Sequence, residues 1–130
     1  MEFKEELLNI QSEIDKKYKE IESYNNKMYD VMLKDARNKY KNKWFVDYRG
    51  NYIFIENVIK VKSIDKINYN NIFIDKIEFS SNVDTIQMRK SIYYEYVLKE
   101  IVKEVTENEF SEWYKNRCNT MFPKILSLMK

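Results

Sequence analysis

The chain has 130 residues, 44% hydrophobic and 34% charged, which suits one globular domain whose core needs neither disulfides nor metal. Its net charge of +2 is far from that of a dedicated nucleic-acid binder. The absence of histidine and the single cysteine exclude Ser-His and Cys-His nucleophiles, thiolate-held zinc or iron–sulfur clusters and any intramolecular disulfide.

Residues 1–41 read as helix. Phe3, Leu7, Ile10, Ile14, Ile21, Tyr24, Met28 and Val31 recur at alternating steps of four and three, with Lys17 the one polar occupant of the series. That spacing is an a/d heptad seam. Glu2, Glu5 and Glu6 suit the positive end of a helix dipole. Met32, Leu33, Ala36 and Tyr40 carry an apolar stripe onward in a shifted phase. Ser23, Asn25 and Asn26 mark the one place for a break, so the segment is either one helix or a helical hairpin bent near Asn26.

From Asn42 the period falls to two, and residues 42–105 read as an antiparallel sheet of three to four strands. Lys43 to Tyr48 is the first, Arg49-Gly50-Asn51 the turn, and Tyr52 to Ser63 the return strand. Gly50, the chain's one glycine, stands where a tight hairpin needs positive φ. In the return strand Ile53, Ile55, Ile59 and Val61 share one parity, and Val58 and Ile64 hold the other. A bulge near Glu56-Asn57 reconciles them. A third strand covers Ile72 to Ser80. A fourth lies within Ile86 to Val97, with Ile92, Tyr94 and Tyr96 expected on one face. Residues 98–105 fit helix by the spacing of Val97, Ile101 and Val105, and strand by their β-branched content.

The last segment, 106–130, opens on Thr106-Glu107-Asn108-Glu109, a capping box. Phe110, Trp113, Tyr114 and Cys118 then share a helical face. Pro123 interrupts this helix or restarts it before Ile125, Leu126 and Met129. The expected class is therefore α+β: a long N-terminal helix, an antiparallel sheet and a C-terminal helix in a single domain.

No catalytic constellation stands out. Asp65, Asp75 and Asp84 have no calcium-loop spacing and read as solvated turn residues. The expectation is a protein that is not an enzyme and uses no cofactor or metal. No apolar run is long enough for a bilayer span or a signal peptide, so the expected location is the cytoplasm, that of the host cell for a phage-encoded protein.

Two surfaces invite partners. In the first, Ile10, Ile14, Ile21, Tyr24 and Met28 of the seam need a cover, either the chain's own sheet and C-terminal helix, a second copy of the chain or another protein. Both helices are expected to compete for one sheet face about 20 Å across, which would leave the seam over for that partner. In the second, the charge is segregated: residues 1–33 hold five cations against eight acids, and residues 34–66 hold nine against four. Lys34, Arg37, Lys41, Lys43 and Arg49 beside Trp44, Phe45 and Tyr48 could meet phosphates and bases. The competing account is a helix C-terminus whose cations answer its dipole, with Trp44 facing the core.

The Trp-containing strand, the hairpin YRGNYIFI, two further short strands and the closing EVTENEFSEWY resemble small phage-encoded accessory proteins. A long leading helix on a compact α+β body is also similar to several anti-CRISPR proteins. The resemblance implies a non-enzymatic inhibitor that binds a CRISPR effector or another nucleic-acid-processing complex and blocks nucleic-acid binding or cleavage. The alternative is a small nucleic-acid-binding or regulatory protein that uses the basic segment 34–43.

Overall fold

The heptad segment is one unbroken helix, α1, from Glu2 to Tyr40. Asn25 and Asn26 do not break it, since asparagine inside a helix costs well under ~1 kcal/mol and no glycine or proline accompanies them. What stops the helix is Asn42, at φ 59°, with its amide donated across to the Ile55 carbonyl at 2.7 Å. A left-handed residue just past the last turn is a common helix stop, and asparagine tolerates it. The computed structural model describes residues 2–63, 65, 67–82 and 85–129, without the side chains of Phe122, Lys124, Ile125 and Leu126.

Five strands follow: β1 (Lys43–Asp47), β2 (Tyr52–Ser63), β3 (Tyr69–Ser81), β4 (Ile86–Val97) and β5 (Ile101–Val105). They form one antiparallel sheet in the order β4-β3-β2-β1-β5, one strand more than the sequence led us to expect. The addition comes from 98–105, where the strand reading holds for Ile101–Val105, which pairs with β1, while the helical spacing of Val97, Ile101 and Val105 does not make a helix and only Leu98–Glu100 forms a 3-10 turn. Gly50 turns the first hairpin at φ 82°.

This sheet must be strongly coiled. Val97 lies opposite Asn71, and Asn71 opposite Lys62, at the far end of β2. Ile101 lies opposite Asp47, beside the start of β2. Along a straight β2 those points would stand ~33 Å apart. The link from Val97 to Ile101 reaches ~15 Å at most. Register shifts between Ile55 and Asn57, Val58 and Lys60, and Ile74 and Lys76 supply the bends. The first is the bulge expected at Glu56-Asn57. The result is a partly closed barrel, open between β4 and β5.

Inside lie Phe45, Ile53, Ile55, Val58, Val61, Ile72, Ile74 and Tyr96, with Leu98 and Ile101 folded over them from the β4–β5 link. The C-terminal part of α1 covers this inner face through Tyr29, Met32, Leu33, Ala36 and Tyr40. Ile64, Asp84 and the side chains of Ile125 and Leu126 fall outside the described residues. In β4 the expected alignment of Ile92 with Tyr94 and Tyr96 fails: Tyr93 at φ 57° bulges the strand, and Ile92 points to solvent while Tyr96 is buried.

The second helix, α2 (Glu107–Met129), lies against the opposite, outer face. The Glu109 amide donates to Thr106 Oγ1 at 3.1 Å, half of the expected capping box. Phe110 stacks on Trp44 at 4.0 Å between ring centroids and 14° between planes, and Trp113 meets Tyr52 at 4.6 Å. Thus Trp44 is covered, though by α2 and not by the α1 side. The expected competition between the helices is also corrected: alternation sends Phe45 inward and Trp44 outward, so each helix has a face of its own.

Candidate interaction surface

α1 outruns its sheet. Every described residue from Glu2 to Met28 is exposed, and the first half-buried residue of the helix is Tyr29. Tyr29 Oη there accepts the Val61 amide at 3.4 Å. The Nε of Arg37 donates to the Val58 carbonyl at 2.9 Å, and Tyr69 Oη donates to Asp35 Oδ2 at 2.6 Å. These three bonds and the Ala36 contact dock the helix. The phase shift read in the sequence is the switch between two duties. At ~100° per residue, the docking stripe Tyr29, Leu33, Ala36 and Tyr40 lies about a quarter turn from the seam.

The seam therefore runs past the body and stays open. Ile10, Ile14, Ile21, Tyr24 and Met28 all project on it, between 37% and 65% exposed, and Phe3, Leu7 and Val31 extend it. Lys17 interrupts the stripe with charge only at its tip, because its stem lines an open groove with Ile14, Tyr18 and Ile21. Where the seam reaches the body it ends in an apolar hollow of about 440 Å³ lined by Tyr24, Lys27, Met28, Val31, Met32 and Ile67. Ile67 comes from the β2–β3 hairpin. Its part was not legible in the sequence, where it sits in a polar turn.

A helix this exposed holds itself together by local pairs, such as Gln11 Nε2 to Asp15 Oδ1 at 2.9 Å and Lys16 to Glu13 at 3.5 Å. Such pairs contribute only about 0.2–0.5 kcal/mol each. Among the described residues no helix is long and apolar enough to cross a membrane.

Of the basic residues, Lys34, Arg37, Lys41 and Lys43 lie at the end of α1 and the start of β1, and Arg49 lies apart from them. Arg37 is tied to β2, and Lys43 Nζ pairs with Glu104 at 3.9 Å. Arg49 lies at the far end of β1, where its guanidinium covers the Tyr48 ring at 5.1 Å and Nε donates to Tyr48 Oη at 2.8 Å. Lys34 and Lys41 are exposed on the end of α1. Of the aromatic side chains expected to stack on bases, Phe45 is buried, Trp44 is under Phe110, and Tyr48 is taken by Arg49.

Two charges inside the barrel were not legible in the sequence. Asp47 is buried because its carboxylate closes the hairpin: Oδ1 accepts the Arg49 and Asn51 amides, each at 2.9 Å. Lys76 is buried with Nζ 3.6 Å from the Tyr94 ring centroid and 3.7 Å from Glu78 Oε2. Burial pulls this ammonium below its ordinary pKa, against the opposing pull of Glu78 and Asp47. Burial likewise pushes the Tyr96 phenol upward. Asp47 is satisfied by the hairpin amides and Lys76 pairs with Glu78, while the buried Tyr96 hydroxyl has no hydrogen-bond partner among the described residues. Among the described residues no group of three or more His, Cys, Asp or Glu is placed to hold a metal ion.

No family profile, no curated protein and no solved structure matches this chain.

Proposed function

We propose that the protein is a non-enzymatic binding protein, an inhibitor of a nucleic-acid-processing defence effector in the manner of anti-CRISPR proteins, and that the free part of α1 is the surface through which it assembles. One observation carries this reading. From Phe3 to Ile21 an apolar stripe projects past the body, and such a stripe contributes nothing until something covers it. Large side chains held on a rigid helix suit helix-in-groove or helix-on-helix recognition. The effector is the partner to try first on the likeness to small phage proteins.

The test is a titration of the purified protein into cleavage reactions of candidate CRISPR effectors. The expected outcome is inhibition that saturates at a fixed molar ratio and co-elution of the two proteins. Unimpaired cleavage and no complex at large molar excess, across effectors of several types, would sink the inhibitor reading. Retention of short nucleic-acid duplexes that falls steeply with salt would point to the basic segment instead.

A further inference from the structure

Resting on that reading of α1, we propose that the seam is covered by a second copy of the same chain, its α1 running antiparallel. In that alignment Phe3 lies opposite Met28 of the second copy, Leu7 opposite Tyr24, Ile10 opposite Ile21 and Ile14 opposite Lys17, and each layer recurs by two-fold symmetry. The paired stretch, residues 3–28, is ~38 Å long.

Three features favour this orientation over a parallel pair. The first is Lys17. Parallel chains would set Lys17 against Lys17 in the seam, whereas antiparallel chains set it against Ile14. Its stem already lies along Ile14, Tyr18 and Ile21. The ammonium then reaches the seam's edge between Glu13 and Glu20, where it offsets the like charge that the alignment brings together. The second is the flanking charge. Antiparallel packing places Glu6 opposite Lys27 twice and Glu13 opposite Glu20 twice, the second pair being the one that Lys17 offsets, while parallel packing sets Glu6, Glu13 and Glu20 against Gln11, Tyr18 and Asn25, with no ion pair gained. The third is the hollow at the body. Phe3, 72% exposed, arrives at Met28, where the 440 Å³ space between Tyr24, Val31 and Ile67 can receive its ring. A parallel pair would leave that space empty and both phenylalanines at the tip.

The area is sufficient. A stable dimer buries at least ~1,200 Å² in all, or about 600 Å² per chain. Phe3, Leu7, Ile10, Ile14, Ile21, Tyr24 and Met28 are 37% to 72% exposed. Each then needs to bury somewhat under ~100 Å², most of the surface that large side chains keep at those exposures, with the stems of flanking residues covering the rest. The quarter-turn offset between seam and docking stripe lets the second helix pass beside the body without displacing α1 from the sheet.

Sedimentation of the full chain should give twice the monomer's 16.0 kDa at tens of micromolar. Ile10→Asp with Ile14→Asp should weaken association by ~100-fold or more, since two carboxylates would enter the apolar seam. Both sites are solvent-exposed, so the body's tryptophan fluorescence should not change. Orientation is read by oxidation in a Cys118→Ser background. Leu7→Cys and Tyr24→Cys chains, mixed, should cross-link to each other, and Leu7→Cys alone should not. A monomer at 100 µM and above, a dimer indifferent to the double substitution, or cross-linking of Leu7→Cys to itself each overturns the proposal. The same double variant separates this from the function above. If the wild type stays monomeric and the variant still loses inhibition, the effector itself uses the seam and the dimer is wrong. If the variant becomes monomeric and neither form inhibits any effector, the dimer stands and the inhibitor reading fails.

Discussion

At the scale of single residues, the charges that matter are those joining one element to the next. Asp35 sits on α1 and is held from the sheet by Tyr69 Oη, with Lys39 Nζ at 3.0 Å on the other side. The Tyr69 hydroxyl first, and Lys39 second, hold this carboxyl below its ordinary 3.8. Burial and the same carboxylate push the Tyr69 phenol upward. For a carboxylate lowered on folding, the linked stability is complete above pH ~4 and is lost as pH falls through the lower folded value. Asp35→Asn should therefore destabilise the protein at pH 7 and flatten part of the decline below pH 4. Tyr69→Phe should flatten it too, because it removes the larger cause while leaving the carboxylate. Urea midpoints from pH 2 to 7 measure this, and three parallel profiles would show that the bridge contributes nothing. Asp47 and Lys76 work differently, as buried groups whose bonds to the hairpin amides and to Glu78 keep the barrel's interior charge paired.

At the scale of elements, what could be read in the sequence was what local chemistry decides. Gly50 fixed the hairpin, conflicting parities around Glu56-Asn57 fixed the bulge, and Thr106 fixed the start of α2. The fifth strand was not legible because 98–105 carries both periods, and only the coil of β2 to β4 brings Ile101 back to β1. Nor does periodicity say which side of a sheet a helix takes; Trp44 and Phe110 had to be seen in contact. Tyr93 shows a third limit, since nothing in its identity announces a left-handed backbone. The outer face depends on aromatic packing, with Phe110 touching Trp44, Tyr52, Phe79, Trp113 and Tyr114. Phe110→Ala should cost roughly 2–3 kcal/mol, somewhat below a fully buried phenylalanine because the ring is only partly covered. The expected sign is a lower urea midpoint together with a changed Trp44 emission. A loss under ~0.5 kcal/mol would mean that α2 is not part of the cooperative unit.

At the scale of the whole molecule, the two parts of α1 obey different rules. Residues 29–40 belong to the core: Ala36 is fully buried, and the bonds from Tyr29, Arg37 and Asp35 cross to β2 and β3. Residues 2–28 are exposed throughout, so in the monomer they add helix while adding little cohesion. A chain beginning at Asn26 should accordingly keep the body's fold. Its unfolding free energy should match that of the dissociated full-length chain within ~0.5 kcal/mol, the scatter expected of surface changes. Circular dichroism should lose helix signal in proportion to the residues removed, while the tryptophan emission of the Trp44–Phe110 stack stays in place. Association and inhibition, in contrast, should both disappear, because the removed part holds most of the seam from Phe3 to Tyr24. If the truncated chain failed to fold, the helix tip would have to be supporting the barrel through contacts that its exposure does not allow. If it folded and still inhibited, the working surface would have to be on the body, where β4 also exposes Met88, Ile92 and Tyr93.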